Sequence, residues 1–195
     1  IAPSLAAGCA VVLKPAGQTP LSALLLAELE DEAGLPPGWL NVVVGPSSEI
    51  GDVLVEDDRV KVITFTGSSG VGWKLAERSP RKRVNLELGN STPLIVEADA
   101  DLDAAVAATA QHSFSFAGQS CISIQRVYVQ EGVYDQFVSA LVPKVEALKL
   151  GDPADEETDV GPVIDEDARE RILAWVDEAR SDGAEIVTGG DLDGD

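Results

Sequence analysis

The chain is poor in the residues that build metal centres and disulfide frameworks. Of its 195 residues two are cysteines, Cys9 and Cys121, and one is a histidine, His112. Cys9 lies between a glycine and an apolar run and Cys121 follows a glycine-marked break, so the two suggest neither a disulfide pair nor a metal cluster. One histidine with no cysteine pair at ligand spacing argues against a transition-metal site. The acidic loop over 152–159 lacks the glycine and the spacing of a dedicated calcium loop. Long hydrophobic runs are also missing: each candidate is short and broken by charge, so no membrane-spanning helix is expected, and no secretory leader either. A reducing cytoplasm is the expected compartment.

Positive charge is the other scarcity. Fourteen Lys and Arg stand against 34 Asp and Glu, leaving a net charge of −20. Such a surface repels nucleic acid and anionic membranes, and neither is expected as a partner. The acids crowd toward the C-terminal end, over 152–159 and 165–167. One reading is an ordinary solvated acidic face. The other is a protein suited to a saline cytoplasm, where dense carboxylates hold water and screening makes their repulsion cheap. The saline reading is the expectation.

What is present is an alternation of short apolar runs and amphipathic segments, the mark of a parallel sheet with crossover helices. Strands are predicted over 10–14, 40–45 and 60–65, and helices over 20–32, 48–55 and 69–78. Thr19-Pro20 supplies an N-cap and a first-turn proline for the first helix, which Gly34 and Pro36-Pro37 stop. A strand over 83–88 and an extended segment over 93–96 follow. Turn-forming residues and a proline between Gly89 and Pro93 interrupt the pattern, so a domain over 1–90 and a second over 91–195 are expected. In the second, Asp99 and Asp101 head a helix over 102–116. A strand over 126–130, helices over 134–148 and 165–181, and a last strand over 185–188 complete it.

Two runs carry chemistry. Gly118-Gln119-Ser120-Cys121 puts a thiol just after a glycine-marked break that follows a helix, where it can face a cleft. Leu86-Glu87-Leu88-Gly89 puts one carboxylate inside a strand-like apolar run. A thiol acting as nucleophile and a carboxylate handling protons are the two parts of a covalent thioester mechanism. Each has a plainer alternative: a buried cysteine acting as a small hydrophobe, and a strand glutamate on the solvent face. Cys9, beside Ala10-Val11-Val12-Leu13, is expected in the core, and His112 as a packed helical histidine between domains. Gly67-Ser68-Ser69-Gly70-Val71-Gly72 follows a strand and opens a helix, so free N–H groups and the positive helix end face the turn. It is not the Gly-x-Gly-x-x-Gly fingerprint, and close packing alone would also call for small residues there.

The runs Val84-Asn85-Leu86-Glu87-Leu88-Gly89 and Gly118-Gln119-Ser120-Cys121-Ile122-Ser123 resemble the signature segments of the NAD(P)-dependent aldehyde dehydrogenase superfamily. Leu13-Lys14-Pro15-Ala16, Phe65-Thr66-Gly67-Ser68 and Val160-Gly161-Pro162-Val163-Ile164 are further matches, in family order. The resemblance implies an α/β chain: a Rossmann-like parallel-sheet cofactor domain followed by a second α/β catalytic domain, both partial, since members of the superfamily are longer. It implies Cys121 as nucleophile and Glu87 as the base that activates water, with NAD or NADP as cofactor and a small aldehyde as substrate. Burial of Glu87 against the cofactor would raise its pKa toward the useful range. The backbone N–H of Cys121 would stabilise an oxyanion.

The same resemblance places the cofactor against Lys14, Gly17, Gly45, Gly51, Phe65, Gly67, Ser68, Val71 and Leu88. Lys14 would reach the adenosine ribose, the turn at Gly67 would meet the pyrophosphate, and Val71 would pack near the adenine. Gly17 stands where many NAD-preferring relatives carry a glutamate, so NADP is expected to be tolerated or preferred. Around Cys121 the chain is similar to branches acting on lactaldehyde, succinate semialdehyde or glyceraldehyde 3-phosphate, and a homo-oligomer is the expected assembly. The alternatives are a catalytically incompetent fragment of such an enzyme and a branch that passes the acyl group to coenzyme A, which generally lacks the glutamate.

Overall fold

The computed structural model describes residues 1–192 and divides into two compact units, Ile1–Glu87 and Leu88–Asp195. In the first, a short helix α1 (Ala2–Ala6) precedes strand β1 (Val11–Leu13), helix α2 (Leu21–Glu32), strand β2 (Leu40–Val42) and helix α3 (Ser47–Glu56). Strand β3 (Val62–Thr66), helix α4 (Ser69–Arg78) and strand β4 (Arg83–Glu87) follow. The strands form two parallel ladders, β1 with β2 in the register Val11↔Leu40, and β3 with β4 in the register Val62↔Arg83. Each pair is joined by a helical crossover, as parallel neighbours require.

Helix α2 begins one residue later than the Thr19 cap would place it, with Pro20 as the N-cap residue. Its stop is the one the glycine announces. Gly34 takes φ +86°, its N–H bonds to Asp31 O, and the N–H of Leu35 reaches back to Glu30 O, which together close the last turn as a Schellman motif. Helices α3 and α4 are tied by Arg78, whose guanidinium meets Asp52 and Glu56 at 2.6 Å each. Those two acids, one helical turn apart, hold the Arg78 pKa above its ordinary value. After α3, Arg59 donates to Asp57 from both side chain and backbone and holds that carboxyl well below the usual carboxylate range.

The second unit comprises strand β5 (Pro93–Val96), helix α5 (Leu102–Phe114), a short tight turn over Ser115–Gly118, strand β6 (Arg126–Val129), helix α6 (Glu131–Glu146) and helix α7 (Glu166–Ser181). β5 and β6 pair in parallel, Pro93 opposite Arg126. Asp101 and Asp165 cap α5 and α7, each accepting from the N–H three residues on, at 3.0 and 2.9 Å. The core is Val96, Val106 and Phe137, from β5, α5 and α6, with Leu94, Leu102, Val127 and Leu141 packed around it.

Three expectations are corrected. Cys9 is exposed, not in the core: it follows Gly8, whose φ of +80° turns the chain out of α1, and it precedes the first ladder residue. The helix predicted over 102–116 ends at Phe114, because Phe116 and Ala117 leave the right-handed region. The segment 185–188 is not a strand among the described residues. Its alternation suits a pleat, but it has no ladder partner there, and an extended segment becomes a strand only by pairing.

Candidate active site

Helix α5 delivers the chain to Cys121, and the approach is unusual. Phe116 and Ala117 have φ of +53° and +55°, and Gly118 follows at +71°, so three successive residues are left-handed. For the two non-glycine residues this costs roughly 1–2 kcal/mol each, which surrounding structure must offset. Gly118 is at ease there, and a Cβ on it would stand 3.3 Å from the carbonyl oxygen of Ser113. The effect is a sharp reversal that leaves Cys121 exposed on a turn and not continued into a helix.

That turn is held on several sides. Asn90 donates its side-chain amide to the Cys121 carbonyl while its own Oδ1 accepts from Thr92 N at 2.8 Å. Ser123, 3% exposed, donates its hydroxyl to Ser113 O at 3.1 Å, and Ile124 N reaches His112 O at 3.3 Å. Gln119 bonds at both ends of its amide, Nε2 to Phe116 O at 3.1 Å and Oε1 to the N–H of Ile164 at 3.0 Å. The N–H of Cys121 itself has no acceptor among the described residues. It is therefore free to donate to an oxygen brought up to the thiol. Behind the turn lies an open cavity of about 450 Å³ lined by residues that include Thr109, Ser113, Gly118, Ser123 and Leu141. His112, expected to be packed, is exposed on α5, where its carbonyl holds Ile124.

In the first unit Lys14, Gly17, Gly45, Gly67 and Ser68 come after the C-terminal ends of parallel strands, the edge where open α/β sheets take their ligands, whereas Phe65 lies within β3 and Gly51 within α3. Lys14 follows β1 and Gly45 follows β2, and the two strands pair side by side, with Val43 N bonded to Leu13 O at 2.9 Å. The half-buried Lys14 turns its ammonium onto Pro15 O at 2.8 Å. Gly17 is exposed, with nothing within 4 Å of where a Cβ would stand, and Gly51 on α3 has the same free space. A Cβ on Gly45 would press only on the end of the Ile50 side chain.

Gly67 and Glu87 end the other ladder together, the N–H of Gly67 bonding to Glu87 O at 3.1 Å. Along β3 and β4, Ile63, Phe65, Val84 and Leu86 are the more buried residues. Glu87 belongs to the opposite, exposed row with Thr64, Thr66 and Asn85, Thr66 being its partner in register. Its side chain is exposed. Gly67 is required by packing, since a Cβ there would sit 2.6 Å from the Phe65 ring. Ser68 leads α4 without capping it: no side chain accepts from the first turn, so its N–H groups stay available. Val71, in that turn, is exposed, and Leu88 is half-buried. An uncapped helix start is chemically suited to a phosphate.

A family model described as the aldehyde dehydrogenase family matches residues 1–195. The chain belongs to the aldehyde dehydrogenase family. Among curated aldehyde dehydrogenases, the 3-sulfolactaldehyde dehydrogenase of Priestia aryabhattai is 50% identical over 194 residues, covering 100% of this chain and 41% of the relative. The succinate-semialdehyde dehydrogenase [NADP(+)] GabD of Escherichia coli is 46% identical over 190 residues, 96% of this chain and 39% of the relative. Among solved aldehyde dehydrogenase structures, glyceraldehyde-3-phosphate dehydrogenase GapN of Methanocaldococcus jannaschii, complexed with NADP, superposes with a TM-score of 0.94 at 38% identity. That match covers 99% of this chain and 43% of the other. The α/β architecture with parallel strands is thus an aldehyde dehydrogenase fold, and the chain spans about two fifths of the length of these relatives.

Proposed function

We propose that the whole protein oxidises an aldehyde to a carboxylic acid with NAD or NADP, through a thioester on Cys121. The observation that carries this reading is the exposed Cys121 thiol, its own N–H without an acceptor among the described residues, on a turn held from both sides. The first unit is read as the dinucleotide-binding part and the second as the part that carries the thiol.

The steps follow from the residues. Cys121, as thiolate, adds to the carbonyl carbon; the C–S bond forms and the oxygen becomes an alkoxide. The Cys121 N–H donates to that oxygen, where charge develops. A dinucleotide held by the first unit would supply the hydride acceptor; the carbon bound to Cys121 gives up its hydride as its C=O bond re-forms, and a thioester remains on the sulfur. Glu87 then takes a proton from water, whose oxygen adds to the thioester, and the C–S bond breaks to release the acid and regenerate the thiolate. Lys14 and the α4 start would hold the ribose and phosphates. Gly17 offers a 2′-phosphate open space and no opposing carboxylate, which supports use of NADP. The substrate would be a short aldehyde bearing an anionic or hydroxyl group, as the names of the relatives suggest.

The test is Cys121→Ser in the whole protein, with turnover followed on a panel of such aldehydes with both cofactors. The expected result is a loss of about 10³-fold or more in kcat, with the dinucleotide still bound. Turnover that survives the substitution would remove Cys121 from the reaction.

A further inference from the structure

We propose that Gln119 is a positioning residue: it clamps the left-handed turn Phe116-Ala117-Gly118 and so keeps the Cys121 thiol on aim. The inference rests on the reading of Cys121 as nucleophile. Two of the three left-handed residues have no intrinsic reason to be so, and the Phe116 side chain, 81% exposed, supplies little packing to hold them. Something else must keep the turn from relaxing.

Gln119 is placed to do it. Its backbone N–H and its Nε2 both donate to Phe116 O at 3.1 Å, so the carbonyl that closes the turn is gripped twice by one residue. The other end of the same amide accepts from the N–H of Ile164 at 3.0 Å, which anchors the grip 45 residues along the chain. Asn90 and Ser123 fasten the chain at and beyond the thiol, whereas Gln119 fastens it ahead of the thiol. Only an amide satisfies both ends, because one partner is an acceptor and the other a donor.

Loss of the clamp lets Phe116 and Ala117 return toward the right-handed region and swings the following residues. Attack on a carbonyl needs the sulfur at about 3–3.5 Å and aligned, and misplacement by about 1 Å costs on the order of 10²-fold. The candidate dinucleotide residues other than Leu88 lie in the other unit and take no part in this turn.

The experiment uses the whole protein and two readouts: kcat, and the rate at which iodoacetamide alkylates the Cys121 peptide, followed by mass spectrometry so that Cys9 does not interfere. Gln119→Ala is expected to lower both rates together by roughly 10–100-fold, with KM for the dinucleotide within about twofold. Adding Ala117→Gly, which removes the left-handed penalty at that residue, is expected to restore both rates several-fold. Gln119→Glu keeps the acceptor for Ile164 and loses the donor to Phe116, so it should fall between. If Gln119→Ala does not fold, Gln119→Glu carries the same comparison, and its coupled loss supports the clamp while unchanged rates overturn it. Unchanged rates in Gln119→Ala, or a loss that Ala117→Gly does not relieve, would also overturn it. Cys121→Ser separates the two ideas. Turnover surviving that change sinks the nucleophile, whereas turnover abolished there and intact in Gln119→Ala sinks the clamp alone.

Discussion

The side-chain amide of Asn90 donates to the main-chain carbonyl of Cys121. This contact joins the segment that opens the second unit to the turn carrying the thiol, and it fixes the peptide plane immediately after Cys121. Because Asn90 Oδ1 is itself engaged by Thr92 N, the amide cannot rotate freely, and the Cys121 carbonyl has a rigid donor. Asn90→Ala is expected to lower kcat by roughly tenfold with little change in dinucleotide affinity. Asn90→Asp should be worse, since a carboxylate oxygen would face the carbonyl oxygen. Steady-state kinetics on the two variants would check the order, and a milder effect for the aspartate would show that the contact does not hold the turn.

Glu87 sits at the end of β4 on the exposed, polar row, beside Thr66 in register. If it strips the proton from the attacking water, Glu87→Gln leaves acylation intact and slows deacylation. A rapid-mixing trace should then show a full burst of reduced cofactor followed by turnover slowed by about 10²–10⁴-fold. Turnover unchanged in Glu87→Gln, and accelerated by coenzyme A, would point instead to an acyl-transferring branch.

At Gly17 the open space around the absent Cβ gives a direct handle on the cofactor. Gly17→Glu introduces a carboxylate where a 2′-phosphate would sit, and like-charge repulsion should reduce kcat/KM for NADP by about tenfold or more while sparing NAD. Kinetics with both cofactors on wild type and variant would test it. A strong NAD preference in the wild type would overturn the expectation that NADP is accepted.

Much of this architecture is legible in the sequence where the signal is local. Gly34 announces the end of α2, and Asp101 and Asp165 announce the starts of α5 and α7, because a cap needs only residues within one turn of it. Features set by distant partners are not legible. The amide of Asn90 lies 31 residues from the carbonyl it holds, and Gln119 lies 45 residues from Ile164. The left-handed turn is hidden for a different reason: Phe116 and Ala117 are not residues that favour positive φ, so only Gly118 hints at it. Cys9 misleads in the opposite sense, since its apolar neighbours suggest burial while Gly8 turns it outward.

The charge balance yields the last prediction. The ion pairs among the described residues, such as Arg78 with Asp52 and Glu56 or Lys149 with Glu157, are on the surface, where each contributes little. They also cannot neutralise the excess, because 14 cationic side chains face 34 acidic ones. The remaining carboxylates repel one another in the compact state. At about 0.1 M salt that repulsion reaches about 10 Å, and at about 1 M only about 3 Å, so concentrated salt should relieve it. The melting temperature of the whole protein should therefore rise as KCl is taken from dilute buffer to molar concentration. It should rise less at a pH near 4, where part of the carboxylate charge is already protonated. Circular dichroism against salt at both pH values would check this. Full folding in dilute buffer with no gain in molar KCl would leave the acidic surface as an ordinary solvated face.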